Sequence, residues 1–230
     1  MEDNDEGFTQ EFEFDNGMNL IVKQRSSIKE GGGTIWDAAY VLIHFFMKHP
    51  KGLQDFMVLE PQKSYTMVEL GSGTGIAGLA FAKLFPNSTH YLTEYSLSSL
   101  KLIDENIDLN KLNKDLVKSC TLEWGVEQAK QLKQDLKIGK ENHKDIDIII
   151  GSDIVYLAKQ FDDLLQCILE LGTQNHTRVI FGATEHGNYG LFQKKLEEYQ
   201  DKIKITYVSL DYLDDQFMAE DIKVFIMDLI

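Results

Sequence analysis

The chain has 230 residues, of which 43% are hydrophobic and 26% are charged, and its formal net charge at pH 7 is −14. This length suits one domain with a single large core, and the composition excludes an intrinsically disordered chain. The negative charge disfavours nucleic acid as a partner, because phosphate groups would be repelled, and it suits a basic, lysine-bearing protein segment.

The first residues, the longest apolar run and the cysteines indicate where the protein works. The first ten residues are acidic and contain no apolar stretch, so we expect no signal peptide. The longest apolar run, residues 40–47, is far shorter than the roughly 20 residues of a membrane span. Cys120 and Cys167 have no CxxC neighbour, which predicts reduced packing residues. We therefore expect a cytoplasmic protein, with the nucleus as the alternative location.

Residues 1–34 predict an N-terminal β-hairpin followed by a glycine-rich loop. Apolar residues flank Asn16-Gly17 on both sides, and this dipeptide is a strong signal for a two-residue turn between strands. We therefore expect the hairpin within residues 12–22. The apolar residues within residues 36–47 follow a helical spacing, which predicts the first helix.

From residue 65 onward, apolar runs typical of strands alternate with stretches of helical spacing. The predicted strands span residues 65–70, 89–93, 118–122, 146–150, 178–181, 203–210 and 222–229. The predicted helices span residues 75–84, 97–110, 126–136, 161–171 and 189–199. This alternation predicts a doubly wound α/β fold with a mostly parallel, seven-stranded sheet covered on both faces. The last two strands have no helix between them, so we expect an antiparallel C-terminal strand, in a single domain spanning residues 1–230.

A glycine-rich loop follows the first strand of the alternating region. The segment MVELGSGTGIAGLAFA, residues 67–82, places Gly71, Gly73 and Gly75 between a strand and a helix. This is the sheet edge at which open α/β folds bind ligands. The loop lacks the GK[ST] ending of a Walker phosphate loop and the G-x-G-x-x-G spacing of a dinucleotide site. It therefore favours S-adenosyl-L-methionine, a nucleoside with an amino acid tail and no phosphate, as the cofactor.

Two glutamates lie beside this loop. Glu69 directly precedes the glycines and is placed to meet the ammonium group of the cofactor's amino acid tail. Glu94 ends the next strand in the segment YLTE, where a carboxylate can accept hydrogen bonds from both ribose hydroxyls. The alternative for Glu94 is a solvated charge at a strand end.

The fourth strand ends in polar residues, within the segment IIIGSDIVY at residues 148–156. Asp153 either caps the helix that follows, since Ser-Asp before an apolar-periodic stretch is the usual cap signal, or carries chemistry beside the glycine loop. After the fifth strand, Glu185 and His186 either touch the substrate or belong to a polar loop. The six histidines have no metal-ligand spacing, so we expect no metal site.

The segments ELGSGTG, TE, LEWG and GSDIVY, in this order, resemble the motifs of the seven-β-strand class I methyltransferases. With GGGTIWDAAYVL upstream, the pattern is similar to methyltransferase family 16, the protein-lysine methyltransferases. The resemblance covers nearly the whole chain. It is nearest to the subgroup that methylates heat-shock chaperones and the valosin-containing AAA ATPase, and it implies methylation of a lysine ε-amine in a protein substrate of that kind.

The resemblance also implies roles for individual residues. The implied cofactor contacts are Trp36, Gly71, Ser72, Gly73, Glu94, Trp124 and Ser152. The implied catalytic pair is Asp153 and Tyr156. We expect Asp153 to capture and aim the lysine ammonium, because a nearby carboxylate favours the charged form of an amine. We expect Tyr156 to hydrogen-bond the amine and to form an aromatic wall with a cation–π contribution. The family often has aspartate at the position of Glu94, and glutamate keeps both acceptor oxygens.

Two other interpretations stay open. In the first, the enzyme methylates a protein histidine or a small amine instead of a lysine. In the second, the chain is a binding module that kept the cofactor fold without catalysis. Amino-methylating enzymes that act on adenine carry two prolines where this chain has Ile154 and Val155, so the flat slot for a base is not expected. We therefore predict a monomer with a protein partner and with neither nucleic acid nor membrane partners.

Overall fold

The computed structural model of the chain describes residues 7–28, 32–48, 59–60, 62–139, 145–215 and 219–230. Within the predicted N-terminal region of residues 1–34, residues 1–6 and residues 29–31 of the glycine-rich loop lie outside the described residues. Within the described ranges, no helix is long and apolar enough to cross a membrane.

The structure contains strands and helices in the predicted alternation. The strands are β1 (Phe8–Glu13), β2 (Asn19–Gln24), β3 (Thr66–Leu70), β4 (Thr89–Glu94), β5 (Val117–Thr121), β6 (Ile148–Ser152), β7 (Arg178–Thr184), β8 (Ile203–Tyr207) and β9 (Ile222–Leu229). The helices are α1 (Asp37–Lys48), α2 (Ile76–Leu84), α3 (Leu97–Leu109), α4 (Val126–Asp135), α5 (Phe161–Leu171) and α6 (Tyr189–Glu197).

Seven strands form one sheet in the order β5-β4-β3-β6-β7-β9-β8. The first five of these pair in parallel, and β9 pairs antiparallel with both β7 and β8. The doubly wound, mostly parallel α/β fold with an antiparallel C-terminal strand is therefore confirmed. The chain winds outward from β3 to β5 and then returns to β6 beside β3, which opens a crevice at the carboxyl ends of these two strands.

The central strands consist largely of apolar residues because helices cover both faces of the sheet. Met67, Ile148 and Ile150 pack into the cluster formed with α1, α2 and α3. Their neighbours Val68 and Ile149 point to the opposite face and pack with α4, α5 and α6. The alternation of side chains along each strand thus builds two cores, one on each face of the sheet.

Both cysteines are free, as predicted. Cys167 is buried and Cys120 is half-buried. Burial raises the pKa of each thiol to about 11. Neither cysteine is therefore a thiolate near neutral pH, and both act as packing residues.

The N-terminal hairpin of β1 and β2 is confirmed, but the prediction of a two-residue turn is wrong. Residues 14–18 connect the strands, and the Phe14 N–H donates to the Met18 carbonyl over 2.9 Å. The Gly17 N–H also donates to the Phe14 carbonyl over 2.8 Å, so three residues, 15–17, form the turn. The Phe14 side chain is buried, and its ring centroid lies 5.4 Å from that of His44.

The hairpin is attached to α3 by two buried asparagines that act in place of a third strand. The Asn106 amide accepts from the Lys23 N–H over 2.7 Å and donates to the Lys23 carbonyl over 3.0 Å. Asn110 makes the same pair of contacts with the backbone of Ile21. Asn106 also donates to the Thr74 carbonyl over 2.9 Å, so the hairpin, α3 and the glycine-rich loop are joined at one side chain.

Candidate active site

A cavity of about 190 Å³ lies at the carboxyl ends of β3, β4 and β6. Nine of the ten side chains and loop positions predicted for the site line it. They are Trp36, Gly71, Ser72, Gly73, Glu94, Trp124, Ser152, Asp153 and Tyr156. Residues separated by more than 100 positions in the sequence thus meet at the crevice that the strand order creates.

The glycine-rich loop forms one wall of this cavity. Gly71 and Gly73 have φ values of 58° and 55°, a left-handed conformation that residues with a Cβ rarely adopt. A Cβ on Gly71 would also lie 2.9 Å from a methyl carbon of Ile154 and 3.3 Å from the Trp124 ring. A Cβ on Gly73 would lie 3.1 Å from the Gly32 carbonyl oxygen. The loop therefore needs glycine for both its backbone conformation and the space around it.

Glu94 presents a fixed carboxylate to the cavity. Its side chain is almost buried, and its two oxygens accept the Gly73 N–H over 3.2 Å and the Tyr95 N–H over 3.0 Å. A carboxylate has about four acceptor sites, so it can accept ribose hydroxyls in addition to backbone donors. This placement fits the role that was predicted for Glu94.

Glu69 is the one predicted site residue that does not line the cavity. It is 1% exposed and lies beneath the glycine-rich loop, where its Oε2 accepts the Gly78 N–H of α2 over 3.2 Å. Burial raises the pKa of this carboxyl to about 8, against the opposing effect of hydrogen bonds from Ser72 and Gly78. The structure thus separates Glu69 from the other nine positions and places it as a support for the loop.

Aromatic side chains surround the cavity mouth. Trp36, Tyr95 and Tyr156 all line the cavity and are 51%, 51% and 43% exposed. Large aromatic side chains that remain exposed beside a cavity are typical of ligand contacts. Tyr95 was missed by the sequence reasoning, although its position directly after Glu94 at a strand end could have indicated it. Gln160 also lines the cavity and carries no sequence signal.

Asp153 directly follows the last residue of β6 and has a left-handed backbone with φ 55°. Its N–H donates to the Gly182 carbonyl over 2.8 Å. Its Oδ1 accepts the Thr184 N–H over 3.0 Å, and its Oδ2 accepts the Thr184 hydroxyl over 3.1 Å. Asp153 is therefore fixed to the neighbouring strand β7 by its backbone and by both carboxylate oxygens.

The interpretation of Asp153 as a helix cap is wrong. The next helical segment is a 3-10 turn, Ala158–Gln160, and it is preceded by Leu157. Helix α5 follows with Gln160 at its N-cap, and neither cap position has a side-chain hydrogen bond to the helix. The Asp153 side chain instead accepts both hydrogen bonds from Thr184 at the end of β7.

The segment after β7 lies beside this site, although its predicted substrate contacts do not line the cavity. Glu185 forms an ion pair with Lys223 over 3.1 Å, and His186 is exposed. Asn188 instead contacts the candidate catalytic region, because its side-chain amide donates to the Tyr156 carbonyl over 2.7 Å.

The electrostatics of the cavity favour a cationic ligand. Among the described residues that line it, Glu94, Glu123 and Asp153 carry carboxylates, and none is lysine, arginine or histidine. Such walls stabilise positive charge and disfavour phosphate groups. The glycine wall, the fixed Glu94 carboxylate and the aromatic rim fit S-adenosylmethionine, whose sulfonium and ammonium groups are positively charged.

Two solved structures with the same fold are described as putative methyltransferases. A chain described as a putative SAM-dependent methyltransferase from Streptococcus mutans superposes with a TM-score of 0.63 at 18% identity, over 96% of this chain and 55% of that one. A putative methyltransferase complexed with SAH, SMU.776, superposes with a TM-score of 0.61 at 16% identity, over 100% of this chain and 57% of that one. At these identities the similarity establishes the seven-stranded methyltransferase fold.

Sequence relatives and a family model identify the family. A Xenopus tropicalis protein named EEF1A lysine methyltransferase 3 is 30% identical over 188 residues, 80% of this chain and 73% of that protein. Protein N-lysine methyltransferase METTL21A from the same organism is 31% identical over 157 residues, 68% of this chain and 62% of that protein. The model of a family described as lysine methyltransferase matches residues 15–203. The chain therefore belongs to the lysine methyltransferase family, methyltransferase family 16.

Proposed function

We propose that this chain transfers a methyl group from S-adenosylmethionine to the ε-amine of a lysine in a protein substrate. The observation that carries the proposal is the Asp153 carboxylate, which is fixed at a cavity lined by three carboxylates and an aromatic rim. When bound, the cofactor supplies an electrophilic methyl group on a positively charged sulfur. The chain supplies the geometry that brings a lysine to that methyl group.

Asp153 captures the incoming lysine and directs it into the cavity. A free lysine has a pKa of about 10.4 and arrives as an ammonium ion. A carboxylate beside it favours that charged form, so Asp153 binds and orients the group and is a poor base for removing its proton. The amine loses its proton to water once it is aligned.

Tyr156 forms the wall against which the lysine side chain lies. Its ring borders the cavity and is partly exposed, so a substrate entering from solvent meets it. An aromatic face binds an ammonium group with about 0.5–2 kcal/mol, depending on desolvation. Tyr156 thus adds to the capture of the substrate and narrows the path to the methyl group.

We propose that the substrate is a molecular chaperone or an AAA ATPase, that the enzyme is a monomer, and that it works in the cytoplasm or nucleus. The chaperone or ATPase assignment rests on the resemblance of the motifs described above. The net charge of −14 supports a basic or lysine-bearing segment as the docking partner. EEF1A, which the name of a relative specifies, is the competing substrate for the test.

The test is methyl transfer from labelled S-adenosylmethionine, first in cell extract and then with a purified chaperone, an AAA ATPase and EEF1A. We expect label in a protein band, and lysine as the modified residue by mass spectrometry. Label confined to small molecules, or methyl-histidine in the labelled protein, would contradict the proposal. Cofactor binding by calorimetry without any transfer would support a non-catalytic binding module.

A further inference from the structure

Thr184, the last residue of β7, has both of its hydrogen-bond donors on the Asp153 carboxylate. The Thr184 N–H lies 3.0 Å from Oδ1 and the Thr184 hydroxyl lies 3.1 Å from Oδ2. A carboxylate held at both oxygens cannot rotate freely about its side-chain bonds. Each oxygen keeps a second lone pair that can accept from a lysine ammonium. Thr184 itself does not line the cavity, so it reaches the site through Asp153.

The same segment of chain also contacts Tyr156. Asn188 occupies the N-cap of α6, a position at which asparagine usually hydrogen-bonds the first turn of its own helix. In this structure no side-chain cap bond forms, and the Asn188 amide donates to the Tyr156 carbonyl over 2.7 Å. The turn between β7 and α6 therefore contacts both candidate catalytic residues, which come from the end of β6.

The backbone of Asp153 is stabilised by the same contacts. A left-handed conformation is uncommon at a residue with a Cβ, although aspartate and asparagine adopt it more readily than most, and neighbouring hydrogen bonds stabilise it. The Asp153 N–H bond to Gly182 and the two bonds from Thr184 are contacts of this kind. Without the hydroxyl of Thr184, Oδ2 loses this donor and the carboxylate can turn toward solvent.

We propose that Thr184 is a positioning residue for methyl transfer, which holds the Asp153 carboxylate in the orientation that receives the lysine ammonium. This inference rests on the proposed function, and it identifies Thr184 as the residue that sets the orientation of the Asp153 carboxylate. The β7 strand end is thus part of the substrate side of the site, although it contributes no side chain to the cavity wall.

The test compares Thr184→Val, which removes the hydroxyl at nearly constant shape, with Thr184→Ser, which keeps it. We expect Thr184→Val to lower kcat/KM for the protein substrate by about tenfold, the rate equivalent of one charge-assisted hydrogen bond. We expect the cofactor Kd and the KM for cofactor to stay within about twofold of wild type. Thr184→Ser should restore most of the rate.

Thr206→Val is the matched control, because Thr206 is also a half-buried threonine in the same sheet, on β8 and away from the cavity. It should leave kcat/KM unchanged. Wild-type rates in Thr184→Val would overturn the inference. So would an equal loss in Thr184→Val and Thr184→Ser accompanied by weaker cofactor binding, since that pattern indicates a general structural role. The two failures can be told apart. If the wild-type chain methylates no protein lysine, the proposed function is refuted. If the wild type is active and Thr184→Val is equally active, only the role of Thr184 is refuted.

Discussion

Replacing Asp153 by asparagine removes the charge of the side chain while nearly keeping its shape. Asparagine tolerates the left-handed backbone found at this position, where φ is 55°. Its amide oxygen can accept the Thr184 N–H, and its NH2 group can donate to the Thr184 hydroxyl, which rotates to accept. We therefore expect Asp153→Asn to keep the stability of the wild type within about 0.5 kcal/mol.

The loss of activity in Asp153→Asn should reflect the loss of charge alone. Removing one partner of a close, partly desolvated charge pair costs about 3 kcal/mol, which is more than 100-fold in kcat/KM. Asp153→Ala adds a second effect, because alanine in the left-handed region costs about 1 kcal/mol and both bonds to Thr184 are lost. Alanine should thus lower activity and stability together, whereas asparagine lowers activity only.

The assay measures methyl transfer to the protein substrate at saturating cofactor, with urea unfolding and calorimetric cofactor binding for each variant. Both variants should bind cofactor with near wild-type affinity, because the Glu94 carboxylate and the glycine-rich loop are unchanged. If Asp153→Asn kept more than half of the wild-type kcat/KM, capture of the ammonium by the Asp153 charge would be refuted.

Three further variants test the cavity wall and two buried titratable side chains, Glu69 and His90. Gly73→Ala should raise the cofactor Kd measured by calorimetry about tenfold or more, because φ is 55° and the new Cβ would lie 3.1 Å from a backbone oxygen. Gly190→Ala is the control, because its Cβ would meet no atom within 4 Å beyond its own helix, and it should bind the cofactor normally. Burial raises the pKa of Glu69 to about 8 from an ordinary value of 4.5, so its contribution to stability is complete below pH 4.5 and is lost as the pH rises through 8. Urea unfolding at pH 6 and pH 8.5 should therefore show a fall in wild-type stability that is reduced in Glu69→Gln, and an unchanged pH dependence in this variant would contradict the assignment. Burial lowers the pKa of His90 to about 4 from 6.5, so this residue destabilises the fold as the pH falls from 6.5 to 4. In His90→Leu, the free energy of unfolding should fall less than in the wild type over this pH range. The same fall in both proteins would contradict the burial of a neutral imidazole at His90.

The elements whose sequence signal is local agree best between prediction and structure. The predicted bounds of α5, residues 161–171, and of β9, residues 222–229, match the structure at both ends. The parallel strands were recognisable because burial on both faces requires runs of apolar residues. Strand ends were less accurate: β6 was predicted to end at Ile150 and ends at Ser152, because glycine and serine carry a weak strand signal and pairing with β7 extends the strand.

Features that depend on distant partners were missed or misread. The hairpin turn was predicted too short, since the Asn-Gly dipeptide does not show that the backbone bonds from Phe14 to Met18 and from Gly17 to Phe14 enclose three residues. Glu69 was assigned to the cofactor tail because it is adjacent to the glycines in the sequence, and only the structure shows that its side chain lies under the loop and accepts the Gly78 N–H. For Asp153 the sequence left a helix cap open beside the catalytic role, because its hydrogen-bond partner Thr184 lies 31 residues further along the chain.

The sequence by itself determined the alternating α/β fold and the glycine-rich loop and, through the resemblance to the methyltransferase family, nine of the ten assigned site residues that the structure places along the cavity. The fold and the loop depend on apolar periodicity, on glycine spacing and on the rule that parallel strands bring their carboxyl ends to one edge, whereas most of the site residues were implied by the family resemblance. Only the tertiary structure decided that β9 inserts between β7 and β8, that Glu69 supports the loop from below, and that the partner of Asp153 is Thr184. The reason is physical: a hydrogen bond or a burial site between distant segments exists only after the sheet has brought those segments together.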